Sequence, residues 1–142
     1  MQTHRRNATF ALGLMLALGL ACNFSASTAN ISGLKLGKDK EVKTETSSFA
    51  AGDIVYAVAT VSNVPDKVKV KGRLVVEDVE GEQAGPVQST ETAVDLEGDG
   101  TATFTFTAPP SGWPKGKYKV EVLMLNEAGE QKDQKSASFT VS

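Results

Sequence analysis

Residues 101–107, Thr-Ala-Thr-Phe-Thr-Phe-Thr, alternate threonine with an apolar residue along their whole length. Successive side chains of a β-strand point to opposite faces, so this pattern predicts a half-buried strand. Ala102, Phe104 and Phe106 should face a core, and the threonines should face solvent. No helical periodicity competes with this interpretation.

The same period of two continues through most of the chain on both sides of this strand. Residues 68–76 alternate apolar with basic side chains, residues 118–124 alternate apolar with polar ones, and residues 54–61 are apolar on both faces. A strand that is apolar on both faces is typical of the centre of a sheet. Less regular patterns predict three further strands, at 42–46, 87–93 and 136–141.

Turn signals rich in glycine, proline, asparagine and aspartate separate these segments at regular intervals. Seven or eight strands in residues 31–142, without a convincing helix, predict an all-β fold. Their number and spacing favour an antiparallel, immunoglobulin-like β-sandwich that forms one domain over residues 33–142.

Composition excludes several classes of protein. Of 142 residues, 40% are apolar and 23% are charged, and the net charge is −2. These values disfavour a wholly disordered chain and a basic nucleic-acid binder. The single cysteine, Cys22, and the single histidine, His4, allow neither a disulfide framework nor a Cys/His zinc site.

The first 21 residues have the character of a secretory signal peptide. His4, Arg5 and Arg6 precede an unbroken apolar run over residues 10–21. As a helix this run covers about 18 Å, whereas the hydrocarbon core of a bilayer is roughly 30 Å thick. The run is therefore too short for a membrane span, and it suits a signal peptide over residues 1–21.

The apolar run ends at residues 18–22, Leu-Gly-Leu-Ala-Cys, which resemble the lipobox of bacterial lipoproteins. The resemblance implies cleavage before Cys22, acylation of its thiol and anchoring in a membrane of the cell envelope. Gly19 stands where that family usually has leucine. Residues 22–32 are then the lipidated cysteine and a flexible linker. Cleavage after Ala29, which would release a soluble secreted protein, is the alternative.

Two segments, residues 49–56 and 112–122, resemble signatures of bacterial immunoglobulin-like envelope domains. Those domains serve mostly in adhesion, in scaffolding or as accessory modules. In physical terms, Pro114 and Gly116 should turn the chain, and Tyr118 should pack while its hydroxyl binds backbone at the sheet corner.

Asp95, Glu97 and Asp99 alternate along a glycine-containing segment, as acidic residues do in calcium loops. An EF-hand needs a bidentate acid at its twelfth position, where this chain has Phe106. We therefore predict a solvated hairpin loop, with these three residues as the candidate ligands if a cation binds.

Trp113 is the only tryptophan and is predicted to lie in a loop. It is a candidate partner-binding residue, because tryptophan is enriched where interfaces bind most tightly. The competing interpretation is a lid that covers one end of the core.

Two charged clusters are predicted to be surface features. The acidic cluster suits a solvated strand end and turn, and the basic one suits a sheet edge protected against aggregation. Their members are Glu77, Asp78, Glu80 and Glu82, and Lys67, Lys69 and Lys71.

Once the signal is removed, no histidine remains to activate a nucleophile, and Cys22 is acylated or lost. We therefore predict a non-enzymatic protein without a cofactor. It should be a membrane-anchored lipoprotein of the bacterial cell envelope, with an immunoglobulin-like binding or scaffolding domain. Its expected partner is another envelope protein, which it should bind through an edge strand or end loops. The alternative is a secreted or periplasmic module that binds carbohydrate or calcium through its end loops.

Overall fold

Eight strands make up the part of the chain that the computed structural model describes, residues 29–142. In chain order they are β1 (Asn30–Gly37), β2 (Ser48–Phe49), β3 (Val55–Ser62), β4 (Val68–Val79), β5 (Gly85–Leu96), β6 (Gly100–Phe106), β7 (Gly116–Leu125) and β8 (Gln131–Val141). A three-stranded sheet has the order β1-β3-β6, and a five-stranded sheet has the order β2-β8-β7-β4-β5. Neighbouring strands are antiparallel except β2 and β8, which run parallel. The predicted β-sandwich is confirmed.

Strand β3 is the centre of the three-stranded sheet, as its two apolar faces predict. It pairs with β1 on one side and with β6 on the other. Val55, Ala57 and Ala59 are fully buried between the sheets, and Val58 on the opposite face is also buried. The predicted alternation of β6 is confirmed too, because Ala102, Phe104 and Phe106 are all buried.

The core lies between the two sheets and is made by the inward side chains of β3, β4, β6, β7 and β8. Phe104 and Phe139 are its largest fully buried side chains. The ring of Phe104 packs against Gly72 of β4, where an added Cβ would lie 2.7 Å from the ring. The two sheets therefore approach closely at this glycine.

The first strand begins at Asn30, within the segment predicted to be a flexible linker that ends at Ser32. The buried side chain of Ile31 and its N–H, which donates to Asp133 Oδ2 at 2.8 Å, hold this segment in the fold. Asp133 lies 102 positions away in the sequence. Because the contact is so distant in the chain, the local composition of the segment did not indicate it.

Residues 42–46 do not form the predicted strand. Val42 is buried at a positive φ of 48°, and its N–H donates to the carbonyl of Asp39 in a turn. Only an isolated bridge joins Glu45 to Gly37. A positive φ is incompatible with an extended strand, so the apolar character of Val42 reflects a buried turn.

Two predictions about topology are wrong. Strand β4 lies between β7 and β5, so the cluster Lys67, Lys69 and Lys71 does not mark a sheet edge. The predicted hairpin at residues 97–99 instead joins β5 to β6 across the two sheets. Strands β5 and β8 are also longer than predicted, since long-range pairing extends them beyond their apolar patterns.

The predicted signal peptide over residues 1–21, Cys22 and the linker residues before Ala29 lie outside the described residues. Within residues 29–142, no helix is long and apolar enough to cross a membrane.

Replacing Gly72 with alanine should lower the free energy of unfolding by about 1–3 kcal/mol, because the new methyl group would overlap the ring of Phe104. Gly52→Ala is the matched control, since a Cβ there meets nothing within 4 Å. Urea denaturation of the two variants and the parent tests this. Equal stabilities of Gly72→Ala and the parent would contradict the close approach of the sheets.

Candidate binding groove between the sheets

A groove with a volume of about 480 Å³ opens beside β5 and β6, two edge strands that belong to different sheets. Its floor is mainly apolar and consists of Leu74, Val76, Phe106, Trp113 and Tyr118. Its rim carries hydroxyl groups from Ser89, Thr90, Thr92, Thr105 and Thr107. Within the described part of the chain, Glu82 is the only charged side chain that lines it.

The unequal widths of the two sheets explain why the groove is open. On one side of the sandwich β1 packs against β8, whereas on the other side β6 packs against β4 and β5. The three-stranded sheet ends at β6, while the five-stranded sheet continues to β5. The side chains of β5 are accordingly at best half-buried, including Val87 in the groove.

A bulge in β5 shapes the rim. Between the pairs Gly72–Thr92 and Leu74–Val87, the single residue Arg73 of β4 lies opposite residues 88–91 of β5. The Thr90 hydroxyl accepts the N–H of Leu74 at 2.9 Å and donates to the carbonyl of Val87 at 2.6 Å. The Thr90 side chain thereby forms hydrogen bonds with both backbone groups that the bulge separates, the N–H of Leu74 and the carbonyl of Val87.

Trp113 lies at the end of the groove floor. It is 8% exposed, and its Nε1–H donates to the carbonyl of Asp53 at 2.8 Å. Its own N–H donates to the carbonyl of Ala51 at 2.7 Å, so two bonds join its loop to residues 51–53. The side chain therefore covers the end of the core, as the lid interpretation predicts. That it also contacts a partner stays a prediction.

The loop that receives Trp113 is held by the carboxylate of Asp53. Asp53 Oδ2 accepts the N–H of Ala50 at 2.8 Å and lies 3.2 Å from Lys38 Nζ. These two interactions lower the pKa of the Asp53 carboxyl, the bond from Ala50 most strongly.

Tyr118 joins the floor of the groove to the core. Its ring stacks on Phe139 with a centroid separation of 5.2 Å and meets Trp113 edge-on at 6.0 Å. Its hydroxyl donates to the carbonyl of Pro114 at 2.5 Å, which confirms the predicted bond to backbone. Burial, and to a lesser extent the negative charge of Glu82, raises the pKa of the Tyr118 hydroxyl.

The structure does not bring the three candidate calcium ligands together. Asp95 lies opposite Lys69 in the β4–β5 ladder, and Glu97 is paired with Lys67 at 3.7 Å. Asp99 Oδ1 accepts the backbone N–H of Val64 at 2.8 Å. No group of three or more acidic, histidine or cysteine side chains within residues 29–142 could hold a metal ion. Nothing in this loop therefore favours calcium binding.

A charged network that the sequence patterns did not reveal lies on β4, β5, β7 and β8. Glu121 is 8% exposed; its Oε1 accepts from Arg73 Nε at 2.8 Å and its Oε2 from Gln134 Nε2 at 2.8 Å. Arg73 also pairs with Glu91, which pairs with Lys71. Because both oxygens of Glu121 accept hydrogen bonds, this buried carboxylate is satisfied by residues of the neighbouring strands.

The second acidic cluster is exposed, as its composition predicts. Glu77 and Asp78 lie in β4, and the other two members belong to the turn that follows it. Glu77 accepts a hydrogen bond from Ser138 Oγ at 2.8 Å. Only Glu82 reaches the groove.

Thr90→Val should lower the free energy of unfolding by about 1–3 kcal/mol, because the N–H of Leu74 loses its acceptor. Thr92→Val, at an exposed rim position of the same strand, should change it by less than about 0.5 kcal/mol. Urea denaturation distinguishes the two. Equal effects of the two substitutions would show that the Thr90 hydroxyl does not hold the bulge.

Tyr118→Phe should cost about 0.5–1.5 kcal/mol near neutral pH, because the bond to Pro114 is lost. The pKa of the Tyr118 hydroxyl is higher in the folded state than in the unfolded state, where it is about 10. The stability that this difference contributes is fully present below about pH 10, and it is lost as the pH rises through the pKa of the folded state. The stability difference between the parent and Tyr118→Phe should therefore shrink above about pH 10. Denaturation curves measured across this range test it, and a widening difference would contradict it.

Comparisons with known proteins agree on the fold and name no family. No protein-family model matches the sequence, and no curated protein matches it. A Niemann-Pick type C2 protein from the Japanese carpenter ant is similar in structure over 83% of this chain and 96% of its own, with 11% identity and a TM-score of 0.52. An alkylpurine DNA glycosylase from Pseudomonas fluorescens is similar over 89% of this chain and 33% of its own, with 16% identity and a TM-score of 0.49. The likeness to the carpenter-ant protein shows a shared β-sandwich fold.

Proposed function

We propose that this protein is anchored to a bacterial cell envelope through lipid on Cys22 and that its sandwich domain binds another envelope protein without catalysis. The observation that carries the binding proposal is the groove, which combines an apolar floor, a hydroxyl rim and two adjoining edge strands. A concave site with a mainly apolar lining and a few polar groups is characteristic of a binding site.

The chemistry of the groove supports binding over catalysis. Its polar groups are hydroxyls and the single carboxylate of Glu82. Hydroxyl nucleophiles need a neighbouring base, and the only histidine of the chain is His4, within the proposed signal peptide. The hydroxyl of Thr90 is already engaged by backbone on both sides.

The start of β1 and the groove lie toward opposite ends of the sandwich. Asn30 pairs with Ser62 at the end of β3 that leads to β4. The groove lies along the later half of β4, at Leu74 and Val76, and reaches Glu82 in the turn beyond. Along β4, the six to eight residues from Val68 to Leu74 and Val76 span about 20–26 Å. A lipid on Cys22 would therefore present the groove away from the membrane.

One experiment in cells tests both halves of the proposal. A photoreactive amino acid replaces Thr105 at the groove or, as the matched control, Thr101 in the same strand outside it. Irradiation should join the Thr105 protein to one envelope protein, whereas the Thr101 protein should give at most a trace. Equal adducts at both positions would overturn the groove as the binding site.

The intact mass of the unreacted protein from the membrane fraction reports the anchor. It should correspond to a chain that begins at Cys22 and carries added acyl groups, and Cys22→Ala should abolish both the acyl mass and the membrane association. A bare chain that begins at Asn30 in the soluble fraction would overturn the lipid anchor and favour the secreted alternative.

A further inference from the structure

Within residues 29–142, one edge of β6 has no strand partner, and this free edge lacks the features that normally keep a sheet edge from pairing. Natural edge strands are protected by charged residues, prolines, bulges or short length. Residues 100–106, Gly-Thr-Ala-Thr-Phe-Thr-Phe, contain no charge and no proline, and they pair with β3 without a register shift. The other long edges differ: β1 carries Lys35 and a bulge, and β5 carries Pro86, Glu91 and its own bulge.

The unprotected edge adjoins the open groove. Thr105 and Phe106 of β6 line it from one sheet, and Val87 and Thr92 of β5 line it from the other. A strand added beside β6 would continue the three-stranded sheet over the part of β5 that this sheet leaves uncovered. It would gain backbone hydrogen bonds from the edge and cover the apolar floor with every second side chain.

A second copy of β6 is poorly suited to fill the groove. Its apolar side chains, Ala102, Phe104 and Phe106, are each at most 4% exposed because they belong to the core of their own domain. Paired with β6 of another copy, such a strand has no free apolar side chain to insert. The occupant must therefore be a segment whose apolar side chains are not already buried.

The charge of the groove further specifies the occupant. Among residues 29–142, Glu82 is the only charged residue that lines the groove, and no lysine or arginine lines it to offset this carboxylate. A basic residue on the occupant would complement Glu82, whereas an acidic one would be repelled.

We propose that an extended peptide segment of another protein pairs with the free edge of β6, inserts alternate apolar side chains into the groove and places a lysine or arginine beside Glu82. This inference deepens the proposed binding function and is independent of the lipid anchor. It specifies a β-strand as the partner element, so the backbone of the partner takes part in recognition.

Synthetic peptides test the proposal with the full chain, held in lipid nanodiscs if it is acylated and in buffer if it is soluble. The probe is acetyl-Lys-Val-Thr-Val-Thr-Val-Thr-amide. Because Trp113 is the only tryptophan and lines the groove, its emission reports binding directly. Methylating alternate backbone nitrogens of the probe should weaken binding at least about tenfold, since strand pairing loses its hydrogen bonds.

Two substitutions probe the protein side. Thr105→Lys places a charge on the unprotected edge and should weaken binding at least about tenfold, whereas Thr44→Lys, at an exposed loop position outside β6 and outside the groove, should change it less than about twofold. A second probe carries glutamate in place of the lysine. The parent should bind the lysine probe more tightly than the glutamate probe by up to about fivefold. Glu82→Lys, at an exposed position, should bind the glutamate probe more tightly by up to about the same factor.

Three outcomes would overturn the proposal. They are no binding of the lysine probe up to its solubility limit, equal affinities for the methylated and the unmethylated probe, and equal affinities of the parent and Thr105→Lys for the lysine probe. A dimer of the parent that Thr105→Lys converts to a monomer would also overturn it, in favour of a second copy. If Thr105 cross-links a protein in cells but the probes fail, strand pairing is wrong and the binding function stands. If the probes bind but no cross-link forms, the envelope partner is wrong and strand pairing stands.

Discussion

Phe104 packs directly on Gly72, and the close approach of the two sheets depends on this contact. The chain has a single cysteine, so no disulfide within the domain can hold the sheets together. Apolar packing has to supply that stability, and it does so around two fully buried phenylalanines, Phe104 and Phe139. The small residue at position 72 lets one ring occupy the space between the sheets. The arrangement of β4 against β6 then places the edges that border the groove.

The groove is a consequence of two sheets of unequal width closing around that core. Five strands on one side and three on the other leave β5 incompletely covered. The bulge held by Thr90 shapes β5 at this place, and Tyr118 and Trp113 close the end. An open apolar floor, an uncharged edge and one carboxylate thus meet at a single site, although they come from segments far apart in the chain.

A fold of this kind does not define a function. The structural likeness to a Niemann-Pick type C2 protein extends over 96% of that protein, yet the sequences are only 11% identical. Sandwiches of similar outline serve many purposes, and activity depends on the site that each sequence builds. In this chain the distinguishing features are the unprotected β6 edge and the position of Glu82. The proposed partner is therefore inferred from local chemistry and charge.

The sequence by itself determined the all-β class, the central position of β3, the inward faces of β4, β6 and β7 and the hydroxyl bond of Tyr118, because alternation and turn residues act locally. Tertiary structure decided which strands are neighbours. The tertiary structure places the lysines of β4 inside a sheet and includes Asn30 in β1. It also separates the acidic residues of the 95–99 segment. It also opened the groove, which no local pattern encodes. Strand order and sheet width depend on contacts between residues distant in the chain, and the period of a single strand contains no information about them.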